Sequence, residues 1–185
     1  MTAAKRRTIM PNNYFLTALL ALPTLALLMS TPTSPAQVKT PAPADATGMK
    51  SSQEGLFDKA LLAMSTRARE LNIKGVALVA CAPGDTVQSW SSKMVVVGNL
   101  KTPTTDRDKG NNLLAIAYAK AAEMADTSKD SGSKVRPSLT GENGWEGGVT
   151  ARGKTGQLIA AFSGGVSADD LKVSRAGLAI LATQL

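Results

Sequence analysis

With 185 residues, 43% hydrophobic and only 4% aromatic, the chain is sized for one domain with an aliphatic, alanine-rich core. It contains no histidine, which excludes Ser-His-Asp and Cys-His catalysis, the usual zinc sites and the commonest axial ligand of haem iron. One cysteine, Cys81, excludes an intrachain disulfide, and the net charge of +7 is unevenly placed.

Lys5, Arg6 and Arg7 precede an apolar run from Tyr14 to Met29 that Pro23 interrupts, and Ser34-Pro35-Ala36 offers small residues beyond it. This is the pattern of a secretory signal peptide over residues 1–36, with a secreted or periplasmic product. The run falls short of the about 20 unbroken apolar residues of a membrane span, so no stable insertion is expected after cleavage. An uncleaved anchor is the competing reading. Loss of residues 1–36 would lower the charge from +7 to +4. No dense Lys/Arg run interleaved with aromatics then remains, which argues against a nucleic-acid partner.

Residues 37–50 are rich in Pro, Ala and Thr and suit a flexible linker, leaving 51–185 as the domain. Ser51 and Glu54 stand at capping-box spacing. Leu56, Ala60, Met64, Ala68 and Leu71 then give one apolar stripe of a helix that stops between Asn72 and Gly75. Val76 to Cys81 is a continuous apolar run, which predicts a strand covered on both faces. After a turn at Pro83-Gly84, a second strand lies within Thr86 to Val97 and pairs with the first as a hairpin. A helix that starts between Thr105 and Asn112 runs to about Asp126, with Leu113, Leu114, Ala117, Ala121 and Met124 on its apolar face.

The stretch Trp145 to Gly165 predicts two short strands joined at Gly153 to Gly156, with a glycine pair at each end. Ser167 and Asp170 have capping-box spacing for a last helix carrying Leu171, Val173, Leu178 and Leu181. Asp169 and Asp170 are read there as favourable charge at a helix N-terminus. The expected fold class is therefore α+β: an antiparallel β-sheet of about four to five strands flanked by three helices, in the order αββαββα.

Lys154 and Thr155 in Arg152-Gly153-Lys154-Thr155-Gly156 invite a phosphate-loop reading. The required GxxxxGK[ST] frame is read as failing, for want of the right glycine spacing after a strand.

Gly147-Gly148, Ser163-Gly164, Asp170 and Ala176-Gly177, with Lys120-Ala121 upstream, stand in the order seen in another group of proteins. In this the chain resembles the GlcG/HbpS haem-binding family, related to the C-terminal domain of PduO-type adenosyltransferases, over roughly Leu56 to Leu185. Cys81 stands where that family has an aspartate, Thr150 where it has a proline, and Lys93-Met94 where it has Arg-Met. The resemblance implies a profilin-like or GlcG-like fold, a homo-oligomer, and haem or another small ligand bound in a surface cleft or between subunits. It implies an iron ligand among Met94, Tyr118, Met124 and Cys81. Met124 at helical spacing equally fits core filling, and Cys81 a small buried hydrophobe.

Trp145 beside a glycine pair could stack on a flat ring or cover a sheet edge. Lys120, three residues after Ala117 and four before Met124, shares an apolar helix face, which favours an inward role. The candidate binding residues are thus Lys120, Tyr118, Met94, Trp145, Gly147 and Gly148. Three functions are weighed. An exported haem- or tetrapyrrole-binding protein is favoured. An enzyme or binding protein for a small anionic metabolite would hold the anion with Lys120 and the Gly147-Gly148 amides. An oligomeric sensory or assembly module would bind through its glycine-edged surface.

Overall fold

In a computed structural model, residues 46–184 are described. The signal-peptide segment and residues 37–45 of the linker lie outside them. The element order is α1 (Ala46–Glu70), β1 (Gly75–Pro83), β2 (Ser91–Val97), α2 (Leu113–Thr127), β3 (Gly148–Gly153), β4 (Gly156–Ser163) and α3 (Ser167–Leu181). A short 3-10 turn, Ala182–Gln184, follows. The four strands form one antiparallel sheet in the order β2-β1-β4-β3. This is the expected α+β arrangement of three helices around an antiparallel sheet.

The two central strands explain their own composition. Along β1, Ala77 and Val79 face one hydrophobic cluster while Val76, Leu78 and Ala80 face another. Along β4, Leu158, Ala160 and Phe162 join the first cluster and Ile159 and Ala161 the second. Successive strand residues point to opposite faces, so a strand with a core on each side must be apolar throughout. The first cluster is closed by α1 and α3 through Phe57, Met64, Val173 and Leu181; the second is closed by α2 through Leu113, Ala117 and Met124. The layers are therefore two helices, a sheet, and one helix.

Helix starts differ from the spacing-based expectation. Helix α1 begins at Ala46, so Ser51 lies inside it and cannot act as its cap. Residues 46–50, read as linker, are helical; no proline after Pro43 interrupts them. Asn72 ends the helix region in a left-handed conformation (φ 54°), within the stop segment expected. Helix α2 starts after Asn112, whose side chain accepts from the Ala115 amide. Helix α3 has Val166 as its N-cap, with no side-chain bond. The carboxylate of Asp170 instead reaches back to the Gly165 amide at 2.8 Å. Strand β1 runs on through Pro83 before Gly84 turns the chain at φ 84°.

Glycine allows the sheet to close at one point. A Cβ on Gly75, at the start of β1, would collide with the Ser163 carbonyl oxygen and come within 2.9 Å of the Phe162 ring. Gly55, in the interior of α1, has open space around its Cα. Gly75→Ala should therefore destabilise the domain by about 2–3 kcal/mol through overpacking. Gly55→Ala should stabilise it by about 0.5–1 kcal/mol through helix propensity. Urea denaturation of both variants checks the pair; equal and small effects would contradict this packing.

Candidate functional site

A cleft of about 210 Å³ opens at the end of the sheet where β4 gives way to α3. Helix α2 contributes Leu113, Ile116 and Lys120; the β4–α3 turn contributes Ser163, Gly164, Gly165 and Ser167; Trp145 and Glu146 form a further wall. The loop before α2 closes the remaining side with Thr102 and Asn111, which bond each other through the Thr102 amide to the Asn111 carbonyl (3.0 Å) and the Asn111 amide to Thr102 Oγ1 (2.6 Å).

At the floor lies a buried ion pair. Lys120 is 3% exposed, and its Nζ donates to Asp170 Oδ2 at 2.8 Å and to the Phe162 carbonyl at 2.7 Å. Three elements thus converge on one ammonium: α2, the end of β4 and the first turn of α3. Burial pushes the Lys120 ammonium below its usual range, with Asp170 opposing the shift. Burial likewise pushes Asp170 up, against the charge of Lys120 and the amides of Gly165 and Gly164.

Gly147 packs directly against this pair. It has φ 127°, and a Cβ there would run into Lys120 Nζ and approach Asp170 Cβ to 2.8 Å. Its carbonyl accepts from Ser174 Oγ at 2.6 Å and from the Phe162 amide at 3.2 Å, fixing the segment that carries Trp145.

Of the residues singled out in the sequence, Lys120 and Trp145 meet in the cleft, with Gly147 behind Lys120. The others stand elsewhere. The Gly148 amide donates to Ser131 Oγ at 2.8 Å, so it is spent within the fold and is not presented to an anion. Lys120 itself is neutralised by Asp170. Met94 pairs across the β1–β2 ladder with Leu78 and packs on the α2 side of the sheet. Tyr118 shares a hydrogen bond of 3.2 Å with Ser92 Oγ and sets its ring 6.1 Å from that of Trp90. Met124 is fully buried core, and burial raises the Cys81 thiol above its usual range.

None of these four potential iron ligands lines the cleft. The residues present do not fit an axially ligated haem in the cleft. Among the described residues there is also no group of three His, Cys, Asp or Glu side chains suited to a metal ion, and no helix is long and apolar enough to cross a membrane.

The literal phosphate-loop frame is present, from Gly148 through Gly153-Lys154-Thr155, although the sequence reading takes it as unmet. Residues 148–153 are strand β3, and Lys154-Thr155 is the tip of the β3–β4 hairpin. The frame needs a loop that opens a helix so that free amides converge on phosphate; here the β3 residues are paired with β4.

The cleft residues that sequence reasoning missed are Asp170 as the partner of Lys120, together with Ser163, Ser167 and Glu146. Asp170 lies 50 residues from Lys120 in the chain, and the sequence marks it only as a helix-start acid and as one position of the family pattern, not as a partner of Lys120. No family model matches the chain, and no curated protein matches it.

Removing one member of the buried pair should be costly. Lys120→Met leaves the Asp170 carboxylate buried and uncompensated, which should cost about 3–5 kcal/mol. The double variant Lys120→Met/Asp170→Leu should recover part of that loss, because an apolar pair replaces two buried charges. Chemical denaturation of both single variants and the double variant tests the coupling; strictly additive losses would contradict it.

Proposed function

We propose that this domain is a binding module for a small, planar, polar ligand held in the cleft beside Trp145. The observation that carries the proposal is the pairing of a half-exposed indole (48%) with a fixed, net-neutral polar floor made by Lys120 and Asp170. An aromatic face next to a few oriented polar groups is the usual composition of a small-molecule site. Ser163 and Ser167 add hydroxyls that either donate or accept.

The same features favour binding over catalysis. Lys120 Nζ spends its hydrogen bonds inside the fold, on Asp170 Oδ2 and the Phe162 carbonyl, so it is committed to holding three elements together rather than presented to a reacting atom. The likeness to the haem-binding family supports a planar guest. The cleft volume, below the roughly 300–1,000 Å³ of typical ligand pockets, supports one smaller than a tetrapyrrole.

Isothermal titration with nicotinamide, a planar and uncharged heteroaromatic amide, tests the proposal on the purified protein. Saturable binding is expected, weakened about tenfold by Trp145→Ala on the scale of an aromatic stacking contact, and unchanged by Met94→Leu. Parallel titration with haemin should give no saturable Soret shift. A shift that disappears in Met94→Leu or Tyr118→Phe would overturn the proposal in favour of an axially ligated haem, and the absence of any nicotinamide binding would overturn it outright.

A further inference from the structure

The cleft beside Trp145 lies at the N-terminal end of α3, a place where backbone amides ordinarily attract an anion. Here that attraction is already spent. The Gly165 amide donates to Asp170 Oδ1 at 2.8 Å, and the Gly164 amide also bonds the Asp170 carboxylate. The amides of Asp169 and Asp170 both donate to the Val166 carbonyl, at 2.9 and 3.0 Å. Lys120, the one cation of the lining, is paired with Asp170. The helix start thus carries its own anion, and a second one would meet no free donor among these groups.

What the cleft leaves unspent has the opposite sign. Glu146 lines it next to Trp145, is exposed, and has no side-chain hydrogen bond or ion pair among the described residues. Its stem is nevertheless held. Gly132 (φ 73°) backs it so closely that a Cβ there would come within 2.8 Å of Glu146 Cγ and 2.7 Å of its amide nitrogen. On the other side Gly147 is fixed by the bonds its carbonyl accepts from Ser174 and Phe162. Packing, not a charge partner, therefore places this carboxylate. The lining carries two acids, Glu146 and Asp170, against Lys120 alone. Once the buried pair cancels, one negative charge remains beside one aromatic face.

An indole and a carboxylate at adjacent positions favour the same guest by two routes. The ring attracts a cation through its quadrupole, and the carboxylate attracts one through its charge. A planar ligand stacked on Trp145 gains from both only when its positive charge sits on the ring itself. The chain as a whole is basic, with a net charge of +7, so a preference for cations is local to this cleft and not a property of the whole surface.

We propose that the ligand of this cleft is a planar organic cation, such as an N-alkylated heteroaromatic ring, and that Glu146 selects its charge. This inference rests on the reading of the cleft as a site for a planar ligand, and adds the sign of that ligand's charge.

Three probes on one ring test it: 1-methylnicotinamide chloride, a cation; nicotinamide, uncharged; and nicotinate, an anion. Isothermal titration of the full protein in low-salt buffer should rank them in that order. The cation should bind about tenfold more tightly than nicotinamide, the combined scale of an exposed cation–π contact and an exposed ion pair. Glu146→Gln should lower that ratio to about threefold, the share left to Trp145. A denaturation midpoint close to that of the wild type would establish that this variant keeps its fold. Glu54→Gln, which removes an equal charge from an exposed position on α1 outside the lining, should leave the ratio unaltered. Nicotinamide binding with equal or weaker binding of the cation would overturn the inference while leaving the planar-ligand site standing. So would a ratio that Glu146→Gln leaves at the wild-type value, or that Glu54→Gln lowers as much. Absence of nicotinamide binding would remove the planar-ligand site, and this inference with it.

Discussion

The buried contact between Lys120 and Asp170 is the constraint on which the functional end of this domain depends. Neither residue belongs inside a protein on its own account, since each charge loses its hydration on burial. Together, with the Phe162 carbonyl and the Gly165 amide completing the set, they fix the end of β4 and the start of α3 against the middle of α2. Gly147 has to lack a side chain because the ammonium occupies that space. Its carbonyl is then held by Ser174 and Phe162, which positions the neighbouring Trp145 on the rim of the cleft. One ion pair thus sets the floor of the cleft and, through a glycine, the wall.

Much of the fold is legible in the sequence because its signals are local. The runs Val76 to Cys81 and Leu158 to Phe162 are apolar at consecutive positions, and only a strand with a core on both sides requires that. Asn112 precedes an alanine-rich helical stripe and does cap it. The helix starts that spacing misplaces have local causes. No proline stands between Pro43 and the Ser51–Glu54 motif, so nothing prevents the helix from starting earlier, at Ala46. At Ser167 the capping serine is already helical, while the acid three residues later serves the turn and the lysine instead.

The site is less legible because its partners are remote in sequence. The inward bias of Lys120 follows from the face it shares with Ala117 and Met124, yet nothing in its neighbourhood names Asp170, which reaches it only when β4 and α3 fold back over α2. Met94 and Tyr118 are chemically able to ligate iron, but the β1–β2 ladder and the contacts with Ser92 and Trp90 commit them to packing. The Gly148 to Thr155 frame shows the converse: a motif complete in letters is chemically idle when its backbone is a hairpin.

The most direct test of the central claim is the exchange behaviour of the Lys120 ammonium, followed by ¹⁵Nζ-detected NMR on lysine-labelled protein. If the ammonium is sealed between Asp170 and the Phe162 carbonyl, its protons will exchange with water far more slowly than those of the other lysines, and substitution of Asp170 will abolish that protection. A Lys120 signal that exchanges as fast as the exposed lysines would show that the ammonium lies in solvent, and the floor of the cleft would have to be assigned to other residues.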